Sequence, residues 1–347
     1  WMAKLIGYPE TAGGYLASGG SVANLTAIVA AREAAGITIE NSSGTVVYLT
    51  SQSHHCIIKA LAIAGLGRCI IRYIEMDDQF RMNTFHLRNT ILSDKKQGHF
   101  PWLIIASAGT TDTGAIDPLN EIADIAEEFH LRFHVDAAYG GFFLLNDEIK
   151  NKMKGIERAH SVVLDPHKAL FIPYGSGALI VRDINELKDI FHFDASYMQD
   201  TYTNSDDYSP ADVSPELSKH FRGLRMWLPL KLHGVASFRA AIEEKLLLAR
   251  YAWEKLNEME GFETGPYPEL SVITFRYLPD DGIANEFNKN LYHQILKDGR
   301  IFLSTTEING LYVLRLAVVS VRTHLKEVNR ALDIIREKVS AVEALMD

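Results

Sequence analysis

The residues best equipped for chemistry in this chain stand at the ends of apolar runs. The clearest case is Ser161-Val-Val-Leu-Asp-Pro-His-Lys168. Val162, Val163 and Leu164 read as a buried strand, and Asp165-Pro166 is a dipeptide that stops one. His167 and Lys168 then fall where a parallel sheet delivers side chains to a ligand crevice. An amine held partly dry beside other cations gives up its proton more easily and becomes a nucleophile toward carbonyls. Leu131-Arg-Phe-His-Val-Asp136 puts a carboxylate at the end of a second strand. Phe100-Pro-Trp-Leu-Ile-Ile-Ala-Ser-Ala-Gly-Thr-Thr111 puts two hydroxyls at the end of a third. Ser18-Gly-Gly-Ser21 precedes a helical pattern, where unpaired backbone amides point at an anion and the glycines let it approach.

An anion-binding helix start, a carboxylate and a lysine at one edge of one sheet are what pyridoxal phosphate needs. The first takes the phosphate, the second pairs with the ring nitrogen, and the third condenses with the aldehyde. Ser18-Gly-Gly-Ser21, Gln52-Ser-His54, Gly109-Thr-Thr111, His134-Val-Asp-Ala-Ala-Tyr139 and Asp165-Pro-His-Lys168 together resemble the group II pyridoxal-phosphate decarboxylases. That group includes the aromatic-L-amino-acid, tyrosine, histidine and glutamate decarboxylases. Each motif alone is weak; five in the family's order, from Trp1 to about Thr323, are specific.

The resemblance implies an α/β chain of fold-type I. A mostly parallel seven-stranded sheet lies in a large cofactor-binding domain over 1–230, and a small α+β domain fills 231–347. It implies a cytoplasmic homodimer with no metal that releases carbon dioxide from an L-amino acid. His54 would stack on the cofactor ring, Thr111 support it near its phenolic oxygen, and Ala138 pack beneath it. Asp136 would pair with the ring nitrogen and Lys168 carry the cofactor. Gly20, Ser21, Asp165 and His167 complete the cofactor set. Tyr197, in a mobile loop at about 193–215, would return a proton to the substrate carbon, with Tyr208 as a rival for that role. Ser218 stands at a position close to the phosphate and the substrate ring, where tyrosine-type plant enzymes carry serine. Arg315 matches an arginine of the substrate-side strand. Read without the resemblance, His54 and Asp136 serve equally as caps and Arg315 as half of a salt bridge. The substrate is expected to be aromatic, because glutamate decarboxylases carry glutamine where this chain has His54. An aldehyde synthase or carbon–carbon lyase on the same scaffold, and a cofactor-binding protein without catalysis, are the alternatives.

The rest of the chain has to position these groups. Its 347 residues, 47% apolar and 23% charged, suffice for a large core and two domains. A net charge of −9 without a basic run argues against nucleic acid or an anionic membrane as the main partner, and no apolar stretch reaches membrane-span length. Cys56 and Cys69 make no disulfide framework and have no metal-type spacing, so a reducing compartment is the default. Trp1-Met-Ala-Lys-Leu-Ile-Gly-Tyr-Pro9 matches the family segment that follows an N-terminal arm, and that arm is not in this sequence. The pattern predicts a helix over 21–35 capped by Ser21, a strand over 45–50, a helix over 56–64 and a strand over 68–75. A helix over 85–93 ends before a solvated loop at 95–98. A strand over 102–108 and an amphipathic helix over 119–129 follow. The offset of 32 from Asp136 to Lys168 leaves room for one helix and one strand. A strand runs over 178–182, antiparallel as the family resemblance implies, and 191–218 is irregular. Beyond it the pattern predicts a helix over 240–259, strands near 272–277, 301–304 and 313–319, and helices near 284–297 and 324–345.

Overall fold

The structure is a computed structural model, and it describes residues 1–193, 209–280 and 282–346. Tyr197 and Tyr208 lie outside the described residues.

Seven strands build the main sheet: β1 (Gly13–Ala17), β2 (Thr45–Thr50), β3 (Ile70–Ile74), β4 (Phe100–Ser107), β5 (Arg132–Asp136), β6 (Ser161–Leu164) and β7 (Gly177–Val181). Their order is β1-β7-β6-β5-β4-β2-β3. β7 is antiparallel to both neighbours, and every other pairing is parallel. Both faces are covered, which is why these strands read as continuous apolar runs. Successive residues nonetheless part to opposite sides. Val46, Tyr48, Ile104, Ala106, Phe133, Val135, Val162 and Leu164 join a core with the helices Thr84–Lys96 and Leu119–Phe129. Val47, Leu49, Leu103 and Ile105 face the helices Gly20–Ala34 and Cys56–Ile63, and Val163 meets the first of these. His134 and Asp136 fall on that second side, under the Gly20–Ala34 helix. Strand order reverses between β4 and β2, so a crevice opens at the carboxyl ends of the parallel strands.

The C-terminal domain carries a smaller antiparallel sheet of β8 (Phe262–Thr264), β9 (Val272–Tyr277), β10 (Ser304–Ile308) and β11 (Leu311–Ala317), in the order β10-β11-β9-β8. Its own core joins Ile273, Phe275 and Leu314 to Phe287 and Leu291 of one helix and Leu332 and Ile335 of another.

Several boundaries differ from the expected ones. The first long helix starts at Gly20 with Gly19 at its cap, and Ser21 makes no capping hydrogen bond. Glycine is tolerated at that cap, so the serine is not needed there. Lys95 and Lys96 belong to the last turn of their helix, where cations suit the exposed carbonyls. β10 begins at Ser304, where 301–304 was expected to hold the strand. The helix expected from 240 begins at Arg222 and runs to Asn257, broken once at Gly234 (φ 72°, ψ 158°). Pro229 and Gly234 are ordinary stop signals, which is why the sequence pattern points to a later start. β1, β8 and the helix Asn185–Phe191 are short and carry too little periodicity to be read.

Candidate active site

The carboxyl ends of β1, β2, β4, β5 and β6 and the start of β7 surround a cavity of about 510 Å³. Ser18, Gly20, Ser21, His54, Thr111, Asp136, Ala138, Asp165, His167 and Lys168 all line it. Ten residues read from five separated motifs therefore share one space.

β6 ends at Leu164, and Asp165 caps a single helical turn, Pro166–Ala169, with proline in its first position. That turn lifts Lys168 to the rim, where its side chain is 38% exposed and Nζ lies 3.1 Å from Asp165 Oδ2. Asp165 itself is buried, and its Oδ1 has no hydrogen-bond partner among the described residues. Burial pushes its carboxyl up, against the pull of Lys168 and His167. His167 Nδ1 sits 2.6 Å from the Ser176 carbonyl, and its ring lies 5.3 Å from that of Tyr174.

The helix start beside Asp165 is close-packed. A side chain on Gly20 would place its Cβ 2.9 Å from Asp165 Oδ2 and 3.2 Å from Ala138 Cβ. One on Gly177 would come within 2.6 Å of Gly19 Cα. Bare backbone amides thus face the cavity at the positive end of a fifteen-residue helix.

Asp136 closes β5. Its Oδ1 accepts the Ala138 N–H at 3.0 Å and its Oδ2 accepts Nδ2 of Asn24 at 3.2 Å. His54 precedes the Cys56–Ile63 helix. Its Nδ1 accepts the Cys56 N–H at 3.2 Å, a local capping role, while the ring still borders the cavity. Burial and neighbouring His55 lower its pKa, so the imidazole is neutral at pH 7.

Thr110 is buried and braces its own turn through Thr113 and the Ala115 N–H, whereas Thr111 is exposed to the cavity. Arg315, on β11, donates from Nε to the Asp112 carbonyl at 2.7 Å, from Nη1 to Ser304 Oγ at 3.0 Å, and from Nη2 to the Thr111 carbonyl. The small sheet therefore grips the Thr111 turn through this arginine. A second cavity of about 290 Å³ adjoins Lys168 and Arg315, walled by Phe143, Phe171, Tyr174, Val272 and Val318.

Ser218 is not brought to this site within the chain. It is exposed in a different cavity, beside Tyr15, Lys219 and Phe221, on the connector into the Arg222 helix.

The conserved domain of the pyridoxal-dependent decarboxylases matches residues 1–278. The chain belongs to the pyridoxal-dependent decarboxylase family. It is 37% identical to the aromatic-L-amino-acid decarboxylase of Bacillus atrophaeus, over 94% of this chain and 69% of that protein. It is 32% identical to the phenylacetaldehyde synthase of Petunia hybrida, over 97% and 70%. Its fold superimposes on the crystal structure of Oryza sativa TDC with PLP and tryptamine with a TM-score of 0.91, at 26% identity, covering 98% of this chain and 74% of that one. The family consists of pyridoxal-phosphate-dependent lyases, and this decarboxylase is an enzyme of that class.

Its residues fit the cofactor on their own evidence. A lysine amine, a strand-end carboxylate and a glycine-lined helix start face one cavity, and the unpartnered Asp165 oxygen lies among them. Among the described residues, no helix is long and apolar enough to cross a membrane.

Three cavity residues escaped the sequence reading. Gln52 is buried with Oε1 unpartnered among the described residues, and Tyr174 borders both cavities. Gln52 was quoted only as part of a motif, and Tyr174 is one aromatic in a loop. Asn24 left a readable mark, because it is a polar residue on the alanine-rich buried face of its helix.

Proposed function

We propose that this decarboxylase removes carbon dioxide from an aromatic L-amino acid to leave the amine. The observation that carries the reading is the meeting of Lys168, Asp136 and His54 in one cavity with a second, largely apolar cavity beside the lysine. Bound pyridoxal phosphate supplies the sink for the electron pair left by departing carbon dioxide. Lys168 would hold the cofactor through its aldehyde and would give way to the substrate amine. Asp136 keeps a proton on the ring nitrogen, which makes the ring a stronger sink. Gly20 and Ser21 present the helix start to the phosphate, with Asp165 and His167 behind them, and Ala138 and His54 border the ring. Thr111 and Arg315 shape the side from which substrate enters. Tyr197, with Tyr208 as its rival, would return the proton to the substrate carbon. The aromatic preference rests on His54 and on the walls of the second cavity, where Phe143, Phe171 and Tyr174 favour a flat apolar group.

A second reading has one observation in its favour, the likeness to a phenylacetaldehyde synthase over nearly the whole chain. Product analysis separates the two. Full-length protein with cofactor is incubated with the twenty amino acids and dihydroxyphenylalanine, and carbon dioxide, amine, aldehyde and ammonia are measured. Amine and carbon dioxide released fastest from an aromatic substrate support the proposal. Faster turnover of glutamate or an aliphatic amino acid removes the aromatic assignment. Aldehyde with ammonia changes the reaction class.

We further propose a cytoplasmic homodimer, with the large domain over 1–230 and the small domain over 231–347. The Arg222 helix and its cap support the dimer, since Phe221, Trp227 and Leu232 are left 78%, 57% and 69% exposed. Sedimentation of an active monomer would remove it.

A further inference from the structure

Asn24 uses every polar group of its side chain inside the protein. It is 1% exposed, on the Gly20–Ala34 helix that covers the face of β5 and β6. Its Nδ2 donates to Asp136 Oδ2 at 3.2 Å and reaches Cys56 Sγ at 3.6 Å. Its Oδ1 lies 2.8 Å from His134 Nε2, and His134 Nδ1 lies 2.7 Å from Ser161 Oγ. His134 and Ser161 are 1% and 4% exposed. The parallel register sets them opposite one another, and the period of the strand puts His134 and Asp136 on the same face.

This chain of hydrogen bonds runs in one direction only. Turning the Asn24 amide over would press its oxygen against the Asp136 carboxylate. The carboxylate therefore fixes the amide, and the amide oxygen then needs a donor. His134 Nε2 must carry the proton, which leaves Nδ1 to accept from the Ser161 hydroxyl. Burial lowers His134 to about 4, so the ring stays neutral and the direction is kept near neutral pH.

We propose that Asn24, oriented by His134 and Ser161, is a positioning residue that holds Asp136 Oδ2 as a fixed acceptor for the proton on the cofactor's ring nitrogen. The proposal rests on the role given to Asp136 above. With the Ala138 N–H on Oδ1 alone, the carboxylate can swing about one point. The second donor fixes its plane and favours its charged form, which leaves the proton on the ring. Outer partners of metal ligands typically contribute about 10- to 100-fold, and an effect of the same size is expected here.

The test uses the enzyme loaded with cofactor labelled with 15N in the ring, whose chemical shift reports where that proton sits. Asn24→Leu and His134→Leu should move the shift toward the unprotonated value. They should also lower kcat about 10- to 100-fold with KM changed less than about threefold. His134→Gln, which can still donate to Asn24 Oδ1, should restore both. Should Asn24→Leu not fold, His134→Leu carries the test. An unmoved shift in the leucine variants beside lowered activity would overturn the proposal, because Asn24 would then only pack. Asp136→Asn is the control: if it too leaves the shift unmoved, the role of Asp136 falls first.

Discussion

Lys168 Nζ lies 3.1 Å from Oδ2 of Asp165, on the same helical turn. The residue that would take the cofactor is thus parked on a buried carboxylate whose other oxygen faces the helix start with no hydrogen-bond partner among the described residues. The turn holds both groups, since Asp165 stands at its N-cap position, where its backbone carbonyl accepts the Lys168 N–H at 2.9 Å. Borohydride treatment of the loaded enzyme should fix the cofactor to Lys168, read by peptide mass, and Lys168→Ala should take up no label. Label on Lys59 or Lys231 would move the site elsewhere.

Gly20 is where a single methyl group should matter most. Its Cβ would sit 2.9 Å from Asp165 Oδ2, closer than real Cβ contacts come, and against Ala138 Cβ at 3.2 Å. Gly20→Ala should therefore weaken cofactor binding at least about tenfold, roughly 1.4 kcal/mol. Gly67, with open space around it, is the control, and Gly67→Ala should bind as the parent does. Equal cofactor titrations for the two variants would show that the phosphate sits away from this helix start.

How much of this was legible can be argued from particular residues. Lys168, Asp136 and Thr111 were readable because each ends an apolar run, and a parallel sheet brings all such ends to one edge. Six of the seven strands followed from the same runs, while β1 was not read and the antiparallel direction of β7 came from the family resemblance. The helical segment from Arg222 was missed because Pro229 looks like a terminator and the helix continues past it, whereas Gly234 does interrupt the helix. Asn24 and Tyr174 could not be assigned, since their meaning lies in neighbours more than a hundred positions away or in a loop without periodicity. Ser218 carried a role by position in a family pattern, yet in this chain it borders a different cavity from Lys168.

Arg315 joins the two sheets by a contact that lysine cannot copy. Its fork reaches the carbonyls of Thr111 and Asp112 and Ser304 Oγ at once, while burial lowers its pKa. A lysine offers one compact ammonium with no planar fork. Arg315→Lys should lower kcat/KM at least about tenfold by loosening the Thr111 turn. Arg315→Met should also cost about 1–3 kcal/mol of stability, because acceptors are left unpaired. Denaturant melts and steady-state kinetics check both. Parent-like kinetics for Arg315→Lys would show that the turn is held by other contacts.

The last prediction concerns pH. His160 Nδ1 accepts the N–H of Phe133 at 3.0 Å, and burial, aided by Arg132 and Arg182, lowers its pKa from 6.5 to about 4. A group whose folded value is depressed contributes stability above its unfolded value and loses it as pH falls. His160 should therefore be without cost at pH 7 and should withdraw about 3 kcal/mol by pH 4. His134, also lowered to about 4, acts in the same sense. Asp117 acts in the opposite sense. It holds the N–H groups of Met82 and Ser107 at 2.7 Å each, and burial raises it to about 6. Its contribution is full below its unfolded value and fades as pH rises through 6. Both are present in parent and variant alike, so comparing the parent with His160→Asn isolates one histidine. Asparagine can still accept the Phe133 N–H but does not titrate. Its melting temperature should fall less steeply than the parent's between pH 6.5 and 4, while parallel curves would show that His160 does not drive acid unfolding.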